Sequence, residues 1–216
     1  MGPATRELEH AGYELLHRSA ILASMANKPD LPILGLSDRG AWQAWLDANH
    51  ACSEGVWLKI AKKGSSKPTV SQAEAIEEAV CFGWIDGQVG RYDGDFYLQR
   101  FTPRRTRSRW SAINRDRARR LIAEGRMKPA GLAQFVAAEA DGRLEGAYAP
   151  QSTATVPEDL QAALDNCTEA RAFFGSLTSA DRYRFLYRLH HTKDPRRRAE
   201  RIAHYIELLS ERKTLA

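Results

Sequence analysis

Apolar residues along this chain recur in two rhythms, and the switches between them mark out its elements. In "RGAWQAWLDANH", Ala41, Trp42, Trp45 and Leu46 fall at helical spacing behind two capping residues, Ser37 and Asp38. "GVWLKIAKK" changes to strict alternation, with Val56, Leu58 and Ile60 on one side of a strand and Trp57, Lys59 and Ala61 on the other. "SQAEAIEEAVCFG" returns to the helical rhythm, opened by a Ser71/Glu74 capping box and stopped by Gly83. "GQVGRYDGDFYLQRF" alternates again and predicts a hairpin turning at Asp93-Gly94. Phe96, Leu98 and Arg100 then oppose Tyr97, Gln99 and Phe101, and Thr102-Pro103 ends the ladder.

Beyond Trp110 the pattern is helical. Ser111 caps "AINRDRARRLIAEG", and Pro129 opens "PAGLAQFVAAEA". "RLEGAYAPQSTATVP" breaks the composition with small and polar residues, and Pro157, Thr168, Thr178 and Pro195 open four further helices. The expected class is α+β: a small antiparallel sheet packed with helices, followed by a C-terminal helical bundle. The expected divisions are an N-terminal extension over 1–30, an α+β core over 31–148, a linker over 149–156 and a helical region over 157–216. For the extension two readings stand: a helix over Arg6–Ala26, or translation beginning naturally at Met25.

Charge changes this picture modestly. The chain carries a formal +5, concentrated in blocks at Arg100–Arg109, Arg115–Arg120 and Arg196–Arg201. Such blocks tilt a protein toward anionic partners, although on helices they are more often solvated faces. Three widely spaced cysteines, Cys52, Cys81 and Cys167, show neither disulfide-framework nor metal-ligand spacing, which favours a reducing compartment. The N-terminal stretch has no continuous apolar h-region, and no apolar run is long enough to span a bilayer. A cytoplasmic location is the expectation.

No standard catalytic signature occurs, and neither metal nor cofactor is expected. His190 and His191 sit at a helix end, where the negative pole of the dipole suits them. Three groups are candidates for acid–base work: Glu78 on its capped helix, Asp86 between Ile85 and Gly87, and His50 after the tryptophan helix. A candidate binding cleft follows from the hairpin. In two arms turning at Asp93-Gly94, Asp86 and Arg100 would lie near the open ends, with Asp86 either capping a turn or pairing with an arginine of the neighbouring strand. Lys59 and Lys62 would border the same face, with Trp57, Tyr97 and Trp110 as flat walls. Such a mixture suits an anionic or planar ligand.

Several of these stretches are similar to a known family. "AWLDANH", "GVWLKIAKKGS", "EAIEEAVCFGWIDG", "RFTPRRTRSRWSAINRDRARRLIAEGRMKPAG" and "DGRLEGAY" resemble the YdeI/OmpD-associated (OmdA-like, bacteriocin-protection) proteins of bacteria, over about Leu31 to Arg212. The matching positions include Trp57, Lys59, Lys62, Glu78, Trp84, Asp86, Arg100, Arg104, Trp110 and Asn114. The resemblance implies a cytoplasmic protein tied to envelope stress and antimicrobial-peptide tolerance, with no settled biochemical activity, and it makes residues 1–24 an extension. Two departures stand out: Leu144 where the family often has tryptophan, and the basic run Lys193-Asp194-Pro195-Arg196-Arg197.

Three functions compete. The first is a binding protein holding a small-molecule or peptide ligand, anionic in character, with Trp57, Lys59, Lys62, Trp84, Asp86, Tyr97, Arg100, Arg104, Trp110 and Asn114 as contacts. The second is an enzyme using Glu78 or Asp86 on an anionic substrate. The third, less favoured, is nucleic-acid binding through Arg100–Arg109, which lacks a recognised reading module. The sequence specifies no oligomeric state.

Overall fold

The computed structural model describes residues 31–215, so the reading of residues 1–30 lies outside the described residues. The class is α+β, with a four-stranded sheet in the N-terminal part and helices after it. The strands are β1 (Ile33–Leu34), β2 (Val56–Ala61), β3 (Trp84–Arg91) and β4 (Phe96–Pro103). The helices are α1 (Arg39–Asn49), α2 (Gln72–Cys81), α3 (Ala112–Ala123), α4 (Pro129–Ala140), α5 (Glu158–Asp165), α6 (Thr168–Ser176), α7 (Ser179–His190) and α8 (Pro195–Ser210).

Contacts divide the described chain into two compact units. The first comprises residues 31–79 and 84–103, and the second residues 80–83 and 104–215. This contact division falls at Pro103/Arg104. Within the second unit Leu144 is buried, and Tyr148 pairs with Ser111 in a parallel bridge.

In the first unit the sheet order is β1-β2-β4-β3, so β4 sits between β2 and β3. The hairpin turns where the sequence placed it, and Asp93 Oδ1 accepts hydrogen bonds from the Asp95 and Phe96 amides. Along β3 a bulge interrupts the register between Asp86 and Val89. From the turn, Arg91 opposes Tyr97 and Val89 opposes Gln99, but beyond the bulge Asp86 opposes Phe101 and Trp84 opposes Pro103. An uninterrupted ladder would place Asp86 opposite Thr102, on the face that carries Arg100. The extra residue turns Asp86 and Trp84 to the other face.

That face is the core of the unit. Val56, Leu58, Ile60, Phe101 and Trp84 point into it, beneath Trp42 and Leu46 of α1. Trp42 stacks on Trp45 at 5.4 Å, meets Trp84 edge-on at 6.4 Å, and donates its indole N–H to the Ala75 carbonyl of α2. Each such ring pair adds about 0.5–1.5 kcal/mol beyond area burial. Asp38 caps α1 by accepting from the Ala41 amide, and the Ser71/Glu74 box opens α2 as its spacing predicts.

The second unit resumes at Arg104, whose guanidinium lies 3.8 Å over the Trp110 ring. Within it a core gathers α5 to α8 around Leu160, Leu164, Phe174, Phe185, Leu189, Tyr205 and Leu209. Thr178 and Asp194 cap α7 and α8. Arg198 ties α8 to Asp159 in α5 through two short hydrogen bonds.

Candidate functional site

The structure splits the residues singled out from the sequence into three groups. Trp57, Lys59 and Arg100 share the sheet face opposite the core. There the Arg100 side chain runs over Gly87, the Trp57 ring edge lies beside Gly90, and the Lys59 ammonium sits 4.4 Å from the Tyr92 ring. Lys62 is apart, at the hairpin end, where its Nζ donates to the Asp93 carbonyl.

Trp84, Asp86 and Tyr97 face the other way. The expected pairing of Asp86 with Arg100 is therefore corrected, because the bulge sets Asp86 beside Phe101. Trp84 is a core residue at 1% exposure, not a wall of an opening. Tyr97 opposes Ile60 on the core side, and burial pushes its phenol upward from its ordinary pKa. Arg104, Trp110 and Asn114 belong to the second unit. Arg104 and Trp110 are buried against each other, and Asn114 accepts from the Arg117 guanidinium on its own helix.

The acid–base candidates are held in structural contacts. The Glu78 carboxylate is buried and takes a 2.6 Å hydrogen bond from Arg39 Nε, fastening α2 to the start of α1. The His50 ring hydrogen-bonds the Leu46 carbonyl, and its own carbonyl accepts from the Trp84 indole. The arginine-rich segment is equally divided: Arg100 lies in the sheet, Arg104 is buried, and Arg105, Arg107 and Arg109 are exposed.

A different concentration of chemistry lies within the second unit, around the C-terminal end of α7. One cavity of about 390 Å³ is lined by Arg109, Arg188, Lys193, Arg197 and Arg201, together with Tyr187 and His191. A second, of about 260 Å³, is lined by Arg107, Arg109, Arg143 and Lys193, with the Trp110 ring at its wall. The two share Arg109, His191 and Lys193. Together they are bordered by seven cationic side chains and two carboxylates, Asp141 and Asp194. Both carboxylates are engaged, Asp141 by Arg143 and Asp194 by the first turn of α8.

Local structure explains the convergence. Tyr183, Tyr187 and His191 recur at i, i+4 and i+8, so one stripe of α7 presents three rings. Tyr148 joins them, edge-on to Tyr187 at 4.9 Å, and is held by backbone hydrogen bonds to the segment at Trp110 and Ala112. These tyrosines wall a third cavity of about 430 Å³, which shares Tyr187 with the first. Burial pushes the Tyr183 phenol up to about 12, so it remains a neutral donor, to the Ala149 carbonyl. The Lys193 side chain passes close to Gly146, where a methyl group would stand 3.0 Å from Nζ.

His191 reports on this environment. Its Nδ1 lies 2.7 Å from the Tyr187 carbonyl, which only accepts, so the proton is on Nδ1. Burial lowers its pKa from 6.5, and the nearby charges of Arg109, His190 and Lys193 lower it further. Burial first, and the surrounding cations after it, hold the imidazole in its neutral form at pH 7. Sequence reading missed this region, having taken the histidines as a helix end and the arginines as a solvated face. The ring stripe at four-residue spacing was the available signal.

The fold and this region define an α+β protein whose helical unit concentrates positive charge beside aromatic rings. Comparison with known families matches two separate stretches of the chain. Residues 153–212 match the family model described as Bacteriocin-protection, YdeI or OmpD-Associated, and residues 34–134 match a domain of unknown function. The family match thus falls on α5 to α8, including the departure at Lys193–Arg197, while most of the tryptophan and arginine motifs fall in the other. No curated protein and no solved structure matches the chain. Among the described residues no helix is long and apolar enough to cross a membrane.

Proposed function

We propose that this is a bacterial binding protein that holds an anionic ligand at the cationic cavities beside α7, in a role connected with tolerance of bacteriocins or related envelope stress. The observation carrying the reading is the meeting of seven cationic side chains with two already engaged carboxylates around a shared junction. Gathered like charges repel, and an anion entering relieves that repulsion while gaining charge-assisted hydrogen bonds. The bacteriocin connection is supported by the family match over residues 153–212. A cytoplasmic setting accompanies this reading, from three cysteines without disulfide-framework spacing. The sheet face with Trp57, Lys59 and Arg100 is a lesser candidate, because it supplies two cations rather than seven.

Thermal shift with inorganic phosphate and with sulfate tests the reading. A bound anion raises the melting temperature by mass action. The double variant Lys193→Ala/Arg197→Ala should remove that rise while folding normally, since both side chains are exposed. Equal rises in wild type and variant would place the site elsewhere. No rise with either anion at low ionic strength would reject anion binding.

A further inference from the structure

Resting on the anion-binding reading, we propose that the ligand is an organic diphosphate: two adjacent phosphate groups attached to a planar end, as in a nucleoside diphosphate. Three compartments follow one another in the second unit. The tyrosine-lined cavity shares Tyr187 with the first cationic cavity, which shares Arg109, His191 and Lys193 with the second. The tyrosine cavity has no lining residue in common with the second cationic one. The order is therefore aromatic, cationic, cationic.

Each cationic compartment has its own donors as well as the shared ones. Arg188, Arg197 and Arg201 border only the first, and Arg107 and Arg143 only the second. A single anion would satisfy one set and leave the other facing solvent. Two linked phosphates would engage both, with Arg109 and Lys193 between them, where guanidinium and ammonium suit bridging oxygens. His191, its Nδ1 committed to Tyr187, keeps only Nε2 for the junction. The planar end belongs beside Tyr148, Tyr183 and Tyr187, whose rings offer stacking surface at low entropic cost.

Calorimetric titration of the full chain with phosphate, pyrophosphate, tripolyphosphate and adenosine diphosphate tests this. Pyrophosphate is expected to bind at least tenfold more tightly than phosphate, and adenosine diphosphate at least threefold more tightly than pyrophosphate. Tripolyphosphate should gain little over pyrophosphate, since Arg198, the arginine that lines the third cavity, is already held by Asp159. Arg107→Ala, an exposed residue of the second compartment alone, should reduce the pyrophosphate preference over phosphate to about threefold or less. Affinity that climbs steadily with ligand charge, or a preference untouched by Arg107→Ala, overturns the diphosphate assignment while the anion site stands. Adenosine diphosphate no tighter than pyrophosphate overturns the planar end. Failure of phosphate and pyrophosphate alike to bind would instead remove the underlying reading.

Discussion

Replacing Gly131 by alanine tests the packing of the second unit by a change of one methyl group. Gly131 is the third residue of α4 and lies against the carbonyl end of α2. A Cβ there would stand 2.1 Å from the Cys81 oxygen and 2.7 Å from the Val80 oxygen, where real Cβ contacts below 3.0 Å are essentially never found. Neither obstacle is a flexible side chain, so α4 must retreat by about 1 Å to restore contact distance. Retreat also lengthens the 3.1 Å hydrogen bond from the Lys128 amide to the same Cys81 oxygen. Overpacking costs about 1–3 kcal/mol, and a weakened buried hydrogen bond about 1 kcal/mol. The helical preference of alanine over glycine returns at most about 1 kcal/mol, leaving a net loss of about 1–3 kcal/mol. Gly175 in α6 is the internal control, because a Cβ there meets nothing within 4 Å. Gly175→Ala should therefore stabilise by about 0.5 kcal/mol. Urea unfolding followed by circular dichroism, with unchanged slope, measures both. A Gly131→Ala midpoint within about 0.5 kcal/mol of wild type would refute the close approach.

Other expectations follow from single contacts. Glu78→Gln leaves Arg39 without its buried counter-charge and should destabilise by about 2 kcal/mol in urea, the loss being moderated by partial exposure of Arg39. Asp194→Ala should act in opposite directions. Loss of the cap to the Arg197 amide costs about 1 kcal/mol of stability, whereas loss of a carboxylate from the cationic cavity tightens sulfate binding, read by calorimetry. His191 titrates below its ordinary 6.5 in the folded state. As pH falls through 6.5 the unfolded chain takes up a proton first, so stability declines between that value and the lower folded pKa and then levels. His191→Gln should flatten this limb of the melting-temperature profile, and sulfate should restore part of it in wild type by favouring the protonated ring.

Much of the fold was readable from short-range signals. The capping box at Ser71, the caps at Asp38 and Thr178, the proline openings at 129 and 195, and the Asp93-Gly94 turn are encoded within a few residues. The site was not, because it depends on long-range pairing and on parity. Asp86 and Arg100 would share a face in a regular ladder, and nothing in "WIDGQVGR" marks the bulge except its glycines. Trp84 reaches the tryptophan core through the same irregularity. The cationic cavities gather residues from Arg107 to Arg201, with Tyr148 beside Ser111 and Lys193 passing close to Gly146. Only the Tyr183-Tyr187-His191 stripe was visible locally, and it reads equally well as core.

Residues 80–83 belong with the second unit although they lie inside the first along the chain. Dissecting this protein into halves therefore cannot succeed with one cut. A fragment ending at Pro103 would retain Val80, Cys81 and Phe82, all buried in the intact chain, yet lack Lys128 and Gly131, which dock on that turn. The complementary fragment would expose the surface from which they were taken. Both pieces should be sticky and poorly expressed, whereas a fragment of the second unit supplied with a grafted Val80–Gly83 segment should recover solubility.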